Sequence, residues 1–339
     1  MRLFESVRSA ALALAEGRLV AFPTETVYGL GADATNADAV AHIFRVKGRP
    51  PDHPLIVHTA SAEGLDRFAV DVPDGARRLA RAFWPGPLTI IVNRRVEVTD
   101  ADPPVADETV GGRGTVGLRV PDHPVALELL AEFAAIGSGA VAAPSANRFG
   151  AVSPTTVDHV VADLGHLPAE LTDRVGVIDG GPCPVGVEST IVDLTRPRPE
   201  LLRPGGISTV ELAAVLGEDV VDGRGGERRA SGMLAAHYAP RAEVRLVAAP
   251  ELDAVLELLP PDERFDTGVI APFAVSHRPS WHLPADAAGY ARQLYSALRD
   301  ADRAGLRRLL VVAPSRGSMV EAVVDRLTKA AVGSFRRDE

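Results

Sequence analysis

The sequence is poor in cysteine and in lysine, and it has no long uncharged apolar run. Cys183 is the single cysteine among 339 residues, so no disulfide closes within the chain and no thiolate cluster can hold zinc. No stretch approaches the run of about 20 apolar residues that a membrane-spanning helix needs. Arg2, Glu5 and Arg8 precede a helical pattern where a signal peptide would carry an apolar centre. Together these absences set the expectation of a cytoplasmic protein with no membrane association. The net charge of -9 disfavours a surface given over to nucleic acid, although a local basic cleft is compatible with it. Lys47 and Lys329 are the only lysines. Where arginine serves almost everywhere else, Lys47 draws interest as a compact ammonium, whereas Lys329 fits an ordinary helix position.

Familiar catalytic motifs are missing too. There is no Gly-x-Ser-x-Gly elbow, no glycine loop ending in a phosphate-binding lysine and no His-Glu-x-x-His helix. Gly180-Gly181-Pro182 and Gly205-Gly206 are turns, not a dinucleotide fingerprint.

What is present is mixed strand and helix patterning. Leu19–Phe22, Leu55–Val57, Leu88–Val92, Val116–Val120, Val141–Ala143, Val175–Ile178 and Thr190–Leu194 predict strands. Ser6–Glu16, Asn36–Val46, Gly75–Phe83, Val125–Phe133, Thr155–Leu164 and Thr209–Leu216 predict helices. The two types do not alternate strictly, so an α/β or α+β domain on a mixed twisted sheet is expected. Residues 217–231, rich in glycine and arginine, read as a linker. Beyond them, strands at Val244–Val247, Gly268–Ala271 and Leu309–Val312 alternate with helices at Leu252–Leu258, Tyr290–Ala304 and Met319–Ala331, which predicts a small parallel α/β domain.

Four clusters fall at strand ends or turns, where sites of α/β proteins lie. Pro23–Gly31 carries two threonine hydroxyls, one carboxylate and two glycines, and reads equally as a turn or as a loop that lets a ligand approach the backbone. Arg45-Val46-Lys47-Gly48-Arg49-Pro50 puts three cations at a helix end, suited to the helix dipole or to a polyphosphate; His53 and His58 follow. Arg119 interrupts the apolar strand Val116–Val120 and so requires an anion, either an internal carboxylate or a ligand's. Ser145 and Asn147, after Ala142-Ala143-Pro144, offer short hydrogen-bonding groups without bulk. These residues support a site that holds anions and hydroxyls and works mainly by electrostatics.

In order along the chain, Pro23–Gly31, Lys47-x-Arg49, Trp84–Thr89, Ser145-x-Asn147, Val187–Ile191 and Leu202–Gly205 resemble the Sua5/YrdC family, the threonylcarbamoyl-AMP synthases. Gly232-Met233-Leu234, His237-Tyr238-Ala239-Pro240 and the last helix resemble its long Sua5 form, except that Ser231 stands where that form usually has proline. The resemblance implies a YrdC-like twisted mixed sheet with helices over residues 1–208, a helix end and linker crossing the active site over 209–241, and a small parallel, Rossmann-like α/β Sua5 domain over 242–339. It implies synthesis of threonylcarbamoyl-AMP from ATP, L-threonine and bicarbonate, with Mg2+ accompanying ATP, for a tRNA modification finished by a downstream tRNA threonylcarbamoyltransferase complex. Thr26, His58, Arg119 and Ser189 would hold L-threonine. Lys47, Arg49, His53, Thr115, Ser145, Asn147 and Arg203 would hold ATP, His237 and Tyr238 would close over it, and Arg148 would stand beside the phosphates. Lys47 and Arg49 would offset charge on the departing diphosphate. Two other readings are an RNA-binding module, using Arg77, Arg78, Arg81, Arg94 and Arg95, and a carbamoyl-adenylate-forming enzyme of the hydrogenase-maturation type. The second usually carries cysteine-rich zinc motifs, which one cysteine cannot build.

Overall fold

A computed structural model describes residues 1–97, 103–225, 232 and 237–335. Ser231, Met233 and Leu234, and much of the predicted linker, lie outside the described residues. The chain divides into two compact units. The first comprises Met1–Phe149, Pro154–Pro184 and Glu188–Met233; the second comprises Gly150–Ser153, Val185–Val187 and Leu234–Glu339.

The first unit is built on eleven strands: β1 (Arg2–Leu3), β2 (Leu19–Phe22), β3 (Gly29–Asp33), β4 (Ile56–His58), β5 (Leu88–Asn93), β6 (Thr115–Arg119), β7 (Val141–Ala142), β8 (Val175–Val177), β9 (Thr190–Asp193), β10 (Glu200–Arg203) and β11 (Val221–Asp222). Their order across the sheet is β1-β8-β2-β3-β7-β4-β6-β5-β9-β10-β11, with parallel and antiparallel neighbours mixed.

Alternation along the strands sorts side chains onto two faces. Leu30, Ala32, Val57, Leu88, Ile90, Val116, Leu118 and Val192 point to one face and join the main core. Helices Ala37–Lys47, Asp74–Phe83, Val157–Leu164 and Thr209–Leu216 cover it, contributing Val40, Ile43, Leu79, Val160 and Leu212 among others. On the opposite face, helices Val7–Ala15 and Pro124–Ile136 pack over only part of the sheet, around Val20, Phe22, Val141 and Ala143. Over β4, β6, β5, β9 and β10 that second face carries a small apolar cluster of Ile56, Ile191 and Leu202, with Ile91 beside it. A shallow concave depression, open to solvent, lies there, lined by Ile56, Thr89, Ile91, Thr115, Gly117 and Ile191 among others.

The second unit is a parallel sheet ordered β12 (Glu243–Leu246), β15 (Arg308–Val311), β13 (Thr267–Ala271) and β14 (Ser280–His282). Helix Ala287–Arg303 buries Tyr290, Ala291, Leu294 and Leu298 on one stripe, the spacing expected of an amphipathic helix. Within this unit Arg299 donates to the carbonyl of Val152, so the short segment Gly150–Ser153 is tied to that helix.

Candidate functional site

The Lys47 end starts with a helix terminus. Helix Ala37–Lys47 opens on Asn36, whose side chain accepts from the Ala39 amide, and closes on Gly48 at φ 66°. Glycine takes this left-handed conformation at little cost. Lys47 and Arg49 flank this turn, and both are buried. Lys47 is 2% exposed, and its Nζ donates to the carbonyls of Ser145 and Asn147, each at 2.5 Å. The amide of Phe149 returns a bond to the Lys47 carbonyl at 2.9 Å. Lys47 therefore orders the Ser145–Asn147 loop, which joins two sequence clusters about a hundred positions apart. Burial, and then the neighbouring Arg49, hold the Lys47 ammonium well below its ordinary pKa. Arg49 donates to the Pro54 carbonyl at 3.2 Å, and its guanidinium lies 5.9 Å from the Phe149 ring centroid. The ring of His53 meets the same phenyl edge-on at 5.7 Å. Arg148, exposed, donates to the Val46 carbonyl at the helix end.

The Arg119 end is assembled from β2, β4, β6 and β9. β4 and β6 are parallel with His58 beside Arg119, and both residues share the uncovered face. Arg119, 4% exposed, donates from Nη2 to Thr26 Oγ1 at 2.9 Å and from Nε to the Gly86 carbonyl at 3.4 Å. Thr24 Oγ1 donates to the Val27 carbonyl at 2.7 Å, so its 2.8 Å contact with Thr26 is donated by the Thr26 hydroxyl. The Thr26 oxygen can then only accept from a ligand. The anion required by Arg119 is internal as well: Glu25 Oε1 lies 2.8 Å from Arg119 Nη2. That contact is an ion pair rather than an aligned hydrogen bond, and both Glu25 carboxylate oxygens are buried without a hydrogen-bond partner among the described residues. His58 Nδ1 is likewise buried without a hydrogen-bond partner among the described residues. Burial, then the Arg119 charge, pushes the His58 pKa down to about 3, so the imidazole is neutral at physiological pH.

Ser189, fully buried, shares a 2.8 Å hydrogen bond with Thr89 and accepts from Arg203 Nη2 at 2.9 Å; Arg203 Nε also bonds its carbonyl at 2.9 Å. Gly205 lets β10 approach this loop, since a Cβ there would sit 2.3 Å from the Thr190 nitrogen.

Thr115 and Arg119 lie at opposite ends of β6 on the uncovered face, with Gly117 between them. Four residue steps of strand span about 13 Å. Ala143 bonds the Ile56 carbonyl, so the Ser145 loop starts at the β4 end nearest Thr115, and His58 lies at the other end beside Arg119. Thr115 thus lies toward the start of the Ser145 loop and Arg119 beside His58, with Gly117, which has no side chain, between them. Sequence reasoning had not assigned roles to Glu25, Thr89 or Gly117. Glu25 stands out in the sequence only as a carboxylate between two threonines, and its partner Arg119 is 94 positions away.

His237 and Tyr238 belong to the second unit. Their rings meet at 4.1 Å, Tyr238 stacks on Tyr295 at 5.9 Å, and Arg326 lies 5.1 Å over Tyr238. Tyr238 holds a left-handed backbone, φ 61°, a strained state for a non-glycine residue.

A family model described as telomere recombination matches residues 12–205. A second model, described as the C-terminal domain of threonylcarbamoyl-AMP synthase, matches residues 207–332. Threonylcarbamoyl-AMP synthase of Pyrococcus abyssi is 40% identical over 336 residues, covering 96% of this chain and 94% of that protein. The crystal structure of P. abyssi Sua5 complexed with L-threonine superposes with a TM-score of 0.86 at 38% identity, covering 98% of this chain and 97% of that one. A P. abyssi Sua5 variant with an adjacent histidine and tyrosine both replaced by alanine gives 0.86 and 38%, covering 97% and 93%.

Proposed function

The chain belongs to the Sua5/YrdC family, the threonylcarbamoyl-AMP synthases, and from that premise we propose how its residues share the work. The protein makes threonylcarbamoyl-AMP and diphosphate from ATP, L-threonine and bicarbonate, for the N6-threonylcarbamoyladenosine modification of tRNA. Its class is nucleotidyl transfer. The threonine amine adds to carbon dioxide with loss of a proton, or to bicarbonate with loss of water, to give a carbamate whose oxygen attacks the α-phosphorus of ATP. The bond to the β-phosphate breaks, and diphosphate leaves with its electron pair. No protein nucleophile is required, so the contributions are proximity and charge neutralisation.

The observation that carries this reading is the uncovered sheet face. Its Arg119 end, with Thr26, His58 and Ser189, suits an amino acid. Thr115 lies toward its other end with Gly117 between, and we assign the triphosphate to Thr115 together with Arg49, His53 and the Ser145–Asn147 loop that Lys47 holds. Arg203 reaches ATP while ordering Ser189. Mg2+ arrives on the phosphates as part of the substrate; among the described residues no group of three or more His, Cys, Asp or Glu side chains converges on a cation position. For His237 and Tyr238 a role toward ATP is what the family resemblance implies. A separate transferase then consumes the adenylate on tRNA.

Mass detection of reaction products tests the reading. An adenylate with the mass of threonylcarbamoyl-AMP, and diphosphate with it, should form only when ATP, L-threonine and bicarbonate are all supplied. Lys47→Ala and Arg49→Ala should each slow diphosphate release about 100-fold or more, the scale on which lost transition-state electrostatics is felt. Wild-type rates in both variants would overturn the division of roles.

A further inference from the structure

Glu25 stands apart in the Arg119 end because nothing described satisfies it. The residue is 3% exposed, both carboxylate oxygens lack a hydrogen-bond donor, and the charged group in contact with it is one edge of the Arg119 guanidinium. A buried carboxylate without donors is costly, and a fold that keeps one has a use for it. Arg119 meanwhile spends Nε on Gly86 and Nη2 on Thr26 and Glu25, while Nη1 makes no hydrogen bond to a described residue.

We propose that Glu25 is the amine-binding residue of this site, receiving the α-ammonium of L-threonine while Arg119 receives its carboxylate. The proposal rests on the threonine reading given above. The carboxyl carbon and the nitrogen of an α-amino acid are bonded to the same carbon. Docking the carboxylate on Arg119 therefore leaves the ammonium beside the carboxylate that flanks the same guanidinium. An ammonium brings three donors and no acceptor, which is what Glu25 and the accept-only Thr26 oxygen lack. Charge agrees as well. The buried Glu25–Arg119 pair is neutral, and a zwitterion adds one charge of each sign in alternation. The deaminated acid, which keeps the hydroxyl but has no amine, would add its negative charge alone and put no ammonium beside Glu25. The site thus selects an amino acid over the corresponding carboxylic acid through a residue distinct from the one that binds the carboxylate.

Calorimetric titration of the full-length chain with L-threonine and with (R)-3-hydroxybutyrate, the same molecule without its amine, tests this. Wild type should prefer L-threonine by 10-fold or more. In Glu25→Gln the threonine affinity should drop at least 10-fold and the hydroxybutyrate affinity should hold or rise, so that the preference collapses. Equal weakening of both ligands would mean that Glu25 merely props Arg119, and the proposal would be overturned. It would be overturned equally if wild type bound the two ligands alike. Should Glu25→Gln fail to fold by circular dichroism, Glu25→Asp decides: its shorter arm should weaken threonine selectively, and parallel weakening of both ligands refutes the idea. ATP binding by wild type without any threonine binding would instead sink the threonine reading itself.

Discussion

Gly117 is the residue on which the shape of the site turns. It lies between Thr115 and Arg119 on the uncovered face, and a Cβ there would rest 3.3 Å from Thr89 Cγ2 and 3.7 Å from Ile91. A small side chain therefore fits the sheet with slight adjustment, but a larger one projects into the depression. Gly117→Val should keep its circular dichroism and cooperative unfolding yet lose about 100-fold or more in diphosphate release, because misplacing reactants by an ångström costs that much. A variant with near-normal turnover would show that substrates do not cross β6. His58 gives a prediction about stability. Its ordinary pKa is 6.5 and its folded value about 3. Above pH 6.5 both folded and unfolded chains hold it neutral; below, only the unfolded chain takes up the proton, so this contribution to stability falls with falling pH until the folded form titrates near pH 3. Between pH 7 and pH 5 wild type should lose about 2 kcal/mol more than His58→Gln, read from urea unfolding at the two pH values. Other buried histidines such as His42 and His123 are present in both proteins, so the difference isolates His58. Equal losses would place His58 in contact with water.

At the scale of elements, segments with a clear period were legible. Helix Thr209–Leu216 and helix Leu252–Leu258 have the predicted ends, and the core strands β2, β5 and β9 fall within a residue or two of prediction. The miss at β3 has a physical cause. Gly29-Leu30-Gly31 reads as a turn because glycine weakens a strand, but here close packing demands it: a Cβ at Gly31 would lie 2.7 Å from Val141 Cγ1 and 2.8 Å from Phe22 Cε1. β10, four residues between prolines, and β14, three residues, were too short for any period to show. The site was legible as residue types but not as pairings. Arg119 announced a need for an anion; that Glu25 meets it, and that Lys47 grips the Ser145 loop, are long-range contacts a strand pattern does not encode. β10 also carries a prediction of its own. Gly205→Ala sets a Cβ 2.3 Å from the Thr190 nitrogen and 2.5 Å from the Ser189 carbonyl carbon. Backbone cannot yield as a flexible side chain does, so the variant should lose about 1–3 kcal/mol in chemical denaturation and bind L-threonine more weakly as Arg203 releases Ser189. Unchanged threonine affinity in the destabilised variant would show that the Arg203–Ser189 bonds do not shape the ligand site.

Across the whole molecule, charge decides how the protein meets tRNA. The net charge is -9, and of the five arginines read as a candidate basic patch all but Arg81, which is exposed, are engaged within the first unit. Arg77 pairs with Asp66 at 2.7 Å and Arg94 with Asp107 at 2.7 Å. Arg78 donates to the carbonyls of Val215 and Leu216, closing the end of helix Thr209–Leu216, and Arg95 donates to those of Asp66 and Arg67. A guanidinium already bonded to carboxylate or carbonyl must give up those bonds to take a phosphate, whereas tight nucleic-acid binding rests on many cations free to release counterions. The work assigned to the first unit, joining an amino acid to a nucleotide, involves no polynucleotide. Filter binding in 0.15 M salt should therefore give a Kd for tRNA weaker than about 10⁻⁴ M, the loose end of non-specific association. Adding tRNA should likewise leave the rate of adenylate formation unchanged, with modified tRNA appearing only when a transferase is also present. Micromolar retention of tRNA that weakens steeply with added salt would reverse this conclusion, since it would require a basic surface among the cations that the first unit now uses to hold itself together.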